Sequence, residues 1–148
     1  MGLTVINSVK ESEQISLIEK NLQEVFNNAI SDLGDCNANL KFLNAEDMQI
    51  LNYQFRNKDA CTNVLAFPND SFAEDQFLGD IAICYEFCRQ EAIEQEKPIQ
   101  NHIMHMLLHA LLHLKGYDHE TSEEAVKMEK LEIEILAKLN IPNPYIVI

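Results

Sequence analysis

The sequence predicts an α+β fold: one domain over residues 1–148, with roughly four strands in a mixed sheet packed with about five helices. Three observations lead there. A chain of 148 residues has the length of one domain and can bury most of its apolar surface in one core. Segments that alternate with period two are interspersed, in no repeating order, with segments at helical spacing. One segment, near residues 99–115, is apolar almost all round, as expected of a buried central helix.

The elements follow in order. "LTVIN" (3–7) alternates and predicts a first strand. Residues 12–31 place Ile15, Ile18, Leu22, Val25, Phe26, Ala29 and Ile30 on one helical face, with Gly34 as the stop. "NLKFLN" (39–44) predicts a second strand, and "AEDMQILNYQF" a short helix after it. The loop "RNKDACTN" leads into the strand "VLAFP" (64–68), which Pro68 ends, and "NDSFAEDQ" is expected as an acidic surface loop. "LGDIAICY" (78–85) predicts the fourth strand and residues 86–96 a helix. Pro98 suits the first turn of the central helix, and Gly116 ends it. "TSEE", with Thr121 and Glu124, opens a last helix whose Met128, Leu131 and Ile135 face inward.

Composition narrows the classes of function. The N-terminus lacks the charged start and apolar run of a secretory signal, and no stretch is long enough to span a bilayer. A cytoplasmic protein without a membrane partner is expected. In that setting Cys36, Cys61, Cys84 and Cys88, which show no Cys-x-x-Cys spacing, read as reduced small apolar residues. The net charge of −13 argues against a general nucleic-acid binder. The acid is uneven, however. Residues 120–134 are rich in glutamate, whereas residues 52–66 carry Arg56 and Lys58 against Asp59 alone.

"HALLHLKGYDH" (109–119) holds three of the five histidines. His109 and His113, four apart on a helix, share a face with roughly 5–6 Å between their Cβ atoms. Gly116 allows the sharp turn that returns His119 to them. Three neutral imidazoles with a fourth position open are the arrangement of a catalytic zinc; nickel or copper would also suit such nitrogens. The ladder His105, His109, His113 spans about 12 Å along a helix axis, too far for one ion. His102 and His105 are therefore assigned to structural or supporting hydrogen bonds.

The spacing His-x3-His-x2-Gly-x2-His is also that of the metzincin metallopeptidases, in which a glutamate after the first histidine is the general base. Here that position is Ala110, which removes the peptidase's proton shuttle. Arg56, Lys58 and Thr62 cluster in the loop before a strand. Arginine is the side chain best shaped for bidentate phosphate recognition, but an ordinary solvated loop with an Arg–Asp pair has the same composition.

Taken together, "LNYQFRNKDACTNVLAFP", "LGDIAI" and "HALLHLKGYDH" resemble, in this order, the blocks of the bacterial YbeY family. The likeness covers essentially the whole domain. Gly116, Tyr117 and Asp118 accompany the histidines as in the family, whereas Ala110 stands where glycine is usual and Cys61 where proline is common. The resemblance implies a metal-dependent, single-strand-specific endoribonuclease. Its role would lie in ribosomal RNA maturation, notably the 3′ end of the small-subunit RNA, and in ribosome quality control. It implies one zinc ion per chain on His109, His113 and His119 and Arg56 facing the scissile phosphate; Lys58, from its place in the same loop as Arg56, is expected as a further substrate contact. Ribosomal particles and their proteins are the implied partners, and docking on them would reconcile an acidic surface with an RNA substrate. Two alternatives stay open: a metallopeptidase, and a non-catalytic assembly factor stabilised by its metal. Asp118, next to a ligand, is a candidate to orient an imidazole.

Overall fold

The computed structural model describes residues 2–146. In chain order its elements are β1 (Leu3–Ile6), α1 (Ser12–Leu17), α2 (Glu19–Ala29), β2 (Asn37–Leu43), α3 (Ala45–Arg56) and β3 (Val64–Pro68). They continue with α4 (Phe72–Asp75), β4 (Phe77–Cys84), α5 (Tyr85–Glu94), α6 (Ile99–Leu114) and α7 (Ser122–Lys138). The fold is α+β, with a four-stranded sheet of order β1-β2-β4-β3. β1 pairs with β2 and β2 with β4 in parallel, and β3 joins β4 antiparallel as an edge strand. Pro68, which has no N–H to give a ladder, sits at the end of that edge.

Alternation along β4 divides the core. Ile81 and Ile83 face the large cluster that contains α6 and α2, while Ala82 and Cys84 face a smaller one with Met48 of α3. α6 packs against α2, α5, β3, β4 and α7, so the histidine-bearing helix is the innermost one. Eleven of its residues are buried, which explains the apolar circumference seen in the sequence.

Two of the seven helices were not expected separately. The helix predicted over 12–31 breaks at Ile18, whose φ of −108° and ψ of 8° leave the helical region. All the apolar residues of that predicted face are nevertheless buried. The break contains neither Gly nor Pro, so periodicity passes straight through it. The acidic segment 69–76 contains the single-turn helix α4. At its foot Asn69 donates to Asp75 Oδ1 (2.9 Å) and to the Phe77 carbonyl (2.8 Å), which closes the loop onto β4.

Gly79 marks a close approach that composition alone did not reveal. Its φ is +147°, and a Cβ there would lie 2.3 Å from the Phe67 carbonyl oxygen and 3.0 Å from Leu114 Cδ2. Only glycine lets β3, β4 and the end of α6 meet so closely.

Candidate metal centre

α6 ends in a turn that builds the site. The Gly116 N–H donates to the His113 carbonyl (3.0 Å) and the Tyr117 N–H to the Leu112 carbonyl (3.0 Å), the paired bonds of a Schellman cap. Gly116 adopts φ +101°, which that cap requires and a side chain disfavours. The chain therefore reverses instead of continuing as helix, and His119 returns to the face that carries His109 and His113. One ligand atom from each of the three imidazoles lies within 4.8 Å of the others. The Nε2 atoms of His109 and His113 are 3.1 Å apart. Two nitrogens on one tetrahedral ion, at about 2.0–2.1 Å each, would be separated by roughly 3.3 Å. The donor set fits a borderline transition metal.

The second ring nitrogens are already engaged. His109 Nδ1 lies 2.7 Å from Glu132 Oε2, and His113 Nδ1 lies 3.0 Å from the Tyr117 carbonyl oxygen. Both acceptors hold the proton on Nδ1 and turn the Nε2 lone pair toward the shared centre. Burial lowers the His113 pKa, and the neighbouring His109 and His119 lower it further, which favours the neutral, ligand-competent ring.

Glu132, on α7, is wholly buried, and it is the residue the sequence reading missed. Its carboxylate accepts from His109, from His105 Nε2 at 3.0 Å and from the Tyr145 hydroxyl. Burial alone would push this carboxyl up, but the hydrogen bonds from His105, His109 and Tyr145 outweigh burial and hold it at about 2. Tyr145 is pushed up in turn, first by burial and then by its bond to Glu132. Glu132 takes the orienting role that Asp118 was a candidate for. Asp118 instead accepts from the His119 backbone N–H at 2.7 Å.

His105 and His102 have the supporting places expected of them. His105 is tied to Glu132, and His102 Nε2 lies 3.0 Å from Glu91 Oε1. Arg56, the last residue of α3, lines the same cleft of about 1690 Å³ as His109, His113 and His119. It makes no ion pair among the described residues, and Asp59 accepts instead from Gln49 Nε2 at 3.0 Å. Asn57, left-handed at φ 57°, turns the chain away after Arg56. Lys58 is exposed and does not line the cleft. Ala110 is buried, and no carboxylate replaces the peptidase glutamate on that turn of α6.

A mixed sheet packed on a buried helix, with two imidazoles from that helix and one from the turn beyond it converging at a wide cleft, defines a candidate metallohydrolase. The chain belongs to the YbeY family: the model described as "Endoribonuclease YbeY" matches residues 5–140. It is 46% identical over 145 residues to the protein named Endoribonuclease YbeY from Acinetobacter baumannii, covering 91% of this chain and 92% of that one. The Acinetobacter baylyi protein of the same name is 44% identical over 145 residues, with 93% and 88% covered. The solution structure of TM1509 from Thermotoga maritima superposes with a TM-score of 0.60 at 25% identity, over 93% of this chain and 91% of that one.

Proposed function

We propose that this protein is a metal-dependent endoribonuclease that cuts single-stranded RNA during ribosomal RNA maturation, including the 3′ end of the small-subunit RNA, and in ribosome quality control. The observation that carries this reading is that three imidazoles and an unpaired arginine line one cleft. The name borne by its relatives in the two Acinetobacter species supports it.

His109, His113 and His119 would hold one zinc ion or a similar transition metal. When bound, such an ion supplies Lewis-acid chemistry, making a coordinated water acidic enough to react near neutral pH and polarising a phosphoryl oxygen. The remaining work falls to the protein. Glu132 and the Tyr117 carbonyl keep His109 and His113 in the tautomer that presents Nε2. Arg56 offers a planar fork to a phosphodiester and stabilises the charge that grows on its equatorial oxygens. Lys58, exposed just beyond Arg56, serves the RNA backbone at the rim.

The substrate would be met in the cytoplasm on a ribosomal particle, whose proteins supply docking that a chain of net charge −13 cannot draw from RNA phosphates alone. Among the described residues no helix is long and apolar enough to cross a membrane. The test is cleavage of a ribosomal RNA fragment with a single-stranded 3′ extension, with and without chelator. Cleavage that needs metal and is abolished in His113→Ala supports the proposal. No cleavage by the metal-loaded protein, together with unfolding on metal removal, would leave a structural assembly factor instead.

A further inference from the structure

A second set of mixed donors lies further along α6. Cys88 and Glu91 are three residues apart on α5 and so share a face. His102 approaches them from the first turn of α6. One ligand atom from each of Cys88, Glu91 and His102 lies within 4.8 Å of the others. Cys88 is fully buried and His102 only 4% exposed, while Glu91 and His102 both line the open cleft, which gives an ion a way in. His102 faces Glu91 with Nε2, 3.0 Å from Oε1, so an ion would take the place of that hydrogen bond, and the buried, unpartnered Nδ1 would then carry the ring proton. The Asn63 carbonyl oxygen, 3.8 Å from Cys88 Sγ, offers a fourth donor.

We propose that Cys88, Glu91 and His102 form a second metal site, separate from the three-histidine centre and selective for a borderline transition-metal cation. Sulfur, nitrogen and carboxylate donors together suit zinc, cobalt or nickel and are wrong for magnesium or calcium. On binding, the Cys88 S–H bond breaks, its proton leaves to solvent and the sulfur lone pair forms the bond to the metal. One thiolate and one carboxylate then neutralise a divalent ion, so no net charge is buried. Without metal, burial and the nearby Glu91 charge push the Cys88 thiol up, and it stays protonated against the Asn63 carbonyl. His102 and His109 are seven residues apart on α6, roughly 10 Å along the axis. The two ions would therefore not act as a catalytic pair, which needs about 3.5–4 Å. The second site instead joins α5, α6 and the turn at Asn63, where the loop leaving Arg56 enters β3.

Cobalt(II) tests this directly, because the three-histidine centre contains no sulfur. Cobalt(II) chloride titrated into the metal-stripped full chain should produce a near-ultraviolet sulfur-to-cobalt charge-transfer band. The band should persist in His119→Ala and in Cys61→Ser, and vanish in Cys88→Ser. Cys61 is the control because its sulfur lies 3.9 Å from that of Cys84, close enough to offer a rival thiol pair. Glu91→Gln, at a partly exposed position, should keep the native circular dichroism and weaken cobalt binding at least tenfold, so the proposal survives even if Cys88→Ser misfolds. Absence of the band in excess cobalt, or a band that is lost in Cys61→Ser and kept in Cys88→Ser, overturns the site. The readout is independent of RNA cleavage, so it stands or falls apart from the nuclease reading.

Discussion

Glu132 Oε2 accepts a 2.7 Å hydrogen bond from His109 Nδ1, although the two residues lie on different helices and 23 positions apart. That contact makes α7 part of the centre that α6 displays. Removing it should loosen the metal before it unfolds the protein. Glu132→Ala is expected to weaken zinc binding at the three histidines by about 10–100-fold, the usual cost of losing such a supporting acceptor. Competition with a chromophoric chelator checks this, and unchanged affinity would mean that Glu132 serves only packing.

The ligand assignment makes a sharper demand on two histidines that look alike in the sequence. His119→Ala should lose the metal held by the three imidazoles. His105→Ala should keep it, because His105 bonds the far oxygen of Glu132 and not the cluster. Elemental analysis of the purified variants decides between them. Equal metal loss in both would require a different ligand set.

Arg56 tests the chemistry apart from the metal. Arg56→Ala should fold and bind metal as the parent does while RNA cleavage falls by about 10²–10³, typical for removing one preorganised charge-stabilising group. Arg56→Lys should recover only part of the rate, since a point charge lacks the two-pronged geometry. If Arg56→Ala cleaves at full rate, the loop has no part in the reaction.

The peptidase alternative makes an opposite set of predictions. Ala110 is buried and brings no carboxylate to the cleft, so the metal-loaded protein should not turn over unfolded proteins or peptides under conditions where it cuts RNA. Ala110 is almost fully buried at the wall of the cleft, so Ala110→Glu would crowd a carboxylate in beside His109, and lower stability is expected ahead of any effect on RNA. Chelator-sensitive proteolysis that survives Arg56→Ala and is lost in His113→Ala would overturn the nuclease proposal.

Gly79→Ala should be among the most damaging small substitutions outside the site. The added carbon would press on the Phe67 carbonyl, which is backbone and held in the β3–β4 pairing. A loss on the order of 2–4 kcal/mol is expected from overpacking and backbone strain combined. Thermal unfolding measures it, and a melting temperature within about a degree of the parent's would show that the strands can part without cost.

Much of this was legible in the chain because the signals were local. The strand at 64–68, the central helix and the glycine-ended turn each declare themselves within a few residues, and the turn is what brings His119 to His109 and His113. Other features depend on partners far away in sequence. The kink at Ile18 leaves the apolar period intact, so nothing in the pattern of α1 and α2 marks it. Glu132 was counted with the acidic run of residues 120–134, yet it stands four residues after Met128 and three before Ile135, on the face read as inward. A carboxylate on a buried stripe was the available sign. Lys58 was grouped with Arg56 by proximity in sequence; the left-handed Asn57 between them, and the place of Lys58 outside the cleft lining, depend on geometry that the sequence does not spell out.

The Glu132–Tyr145 anchorage also bears on when the centre comes into being. A ribosome delivers the chain from its N-terminus, so the imidazoles emerge before the groups that orient them. Glu132 follows His109 by 23 residues and Tyr145 follows His105 by 40. A nascent chain that has exposed "HALLHLKGYDH" but not yet α7 holds its histidines without the acceptor that fixes His109. The centre is therefore completed only when α7 has docked on α6, and not when its histidines first emerge.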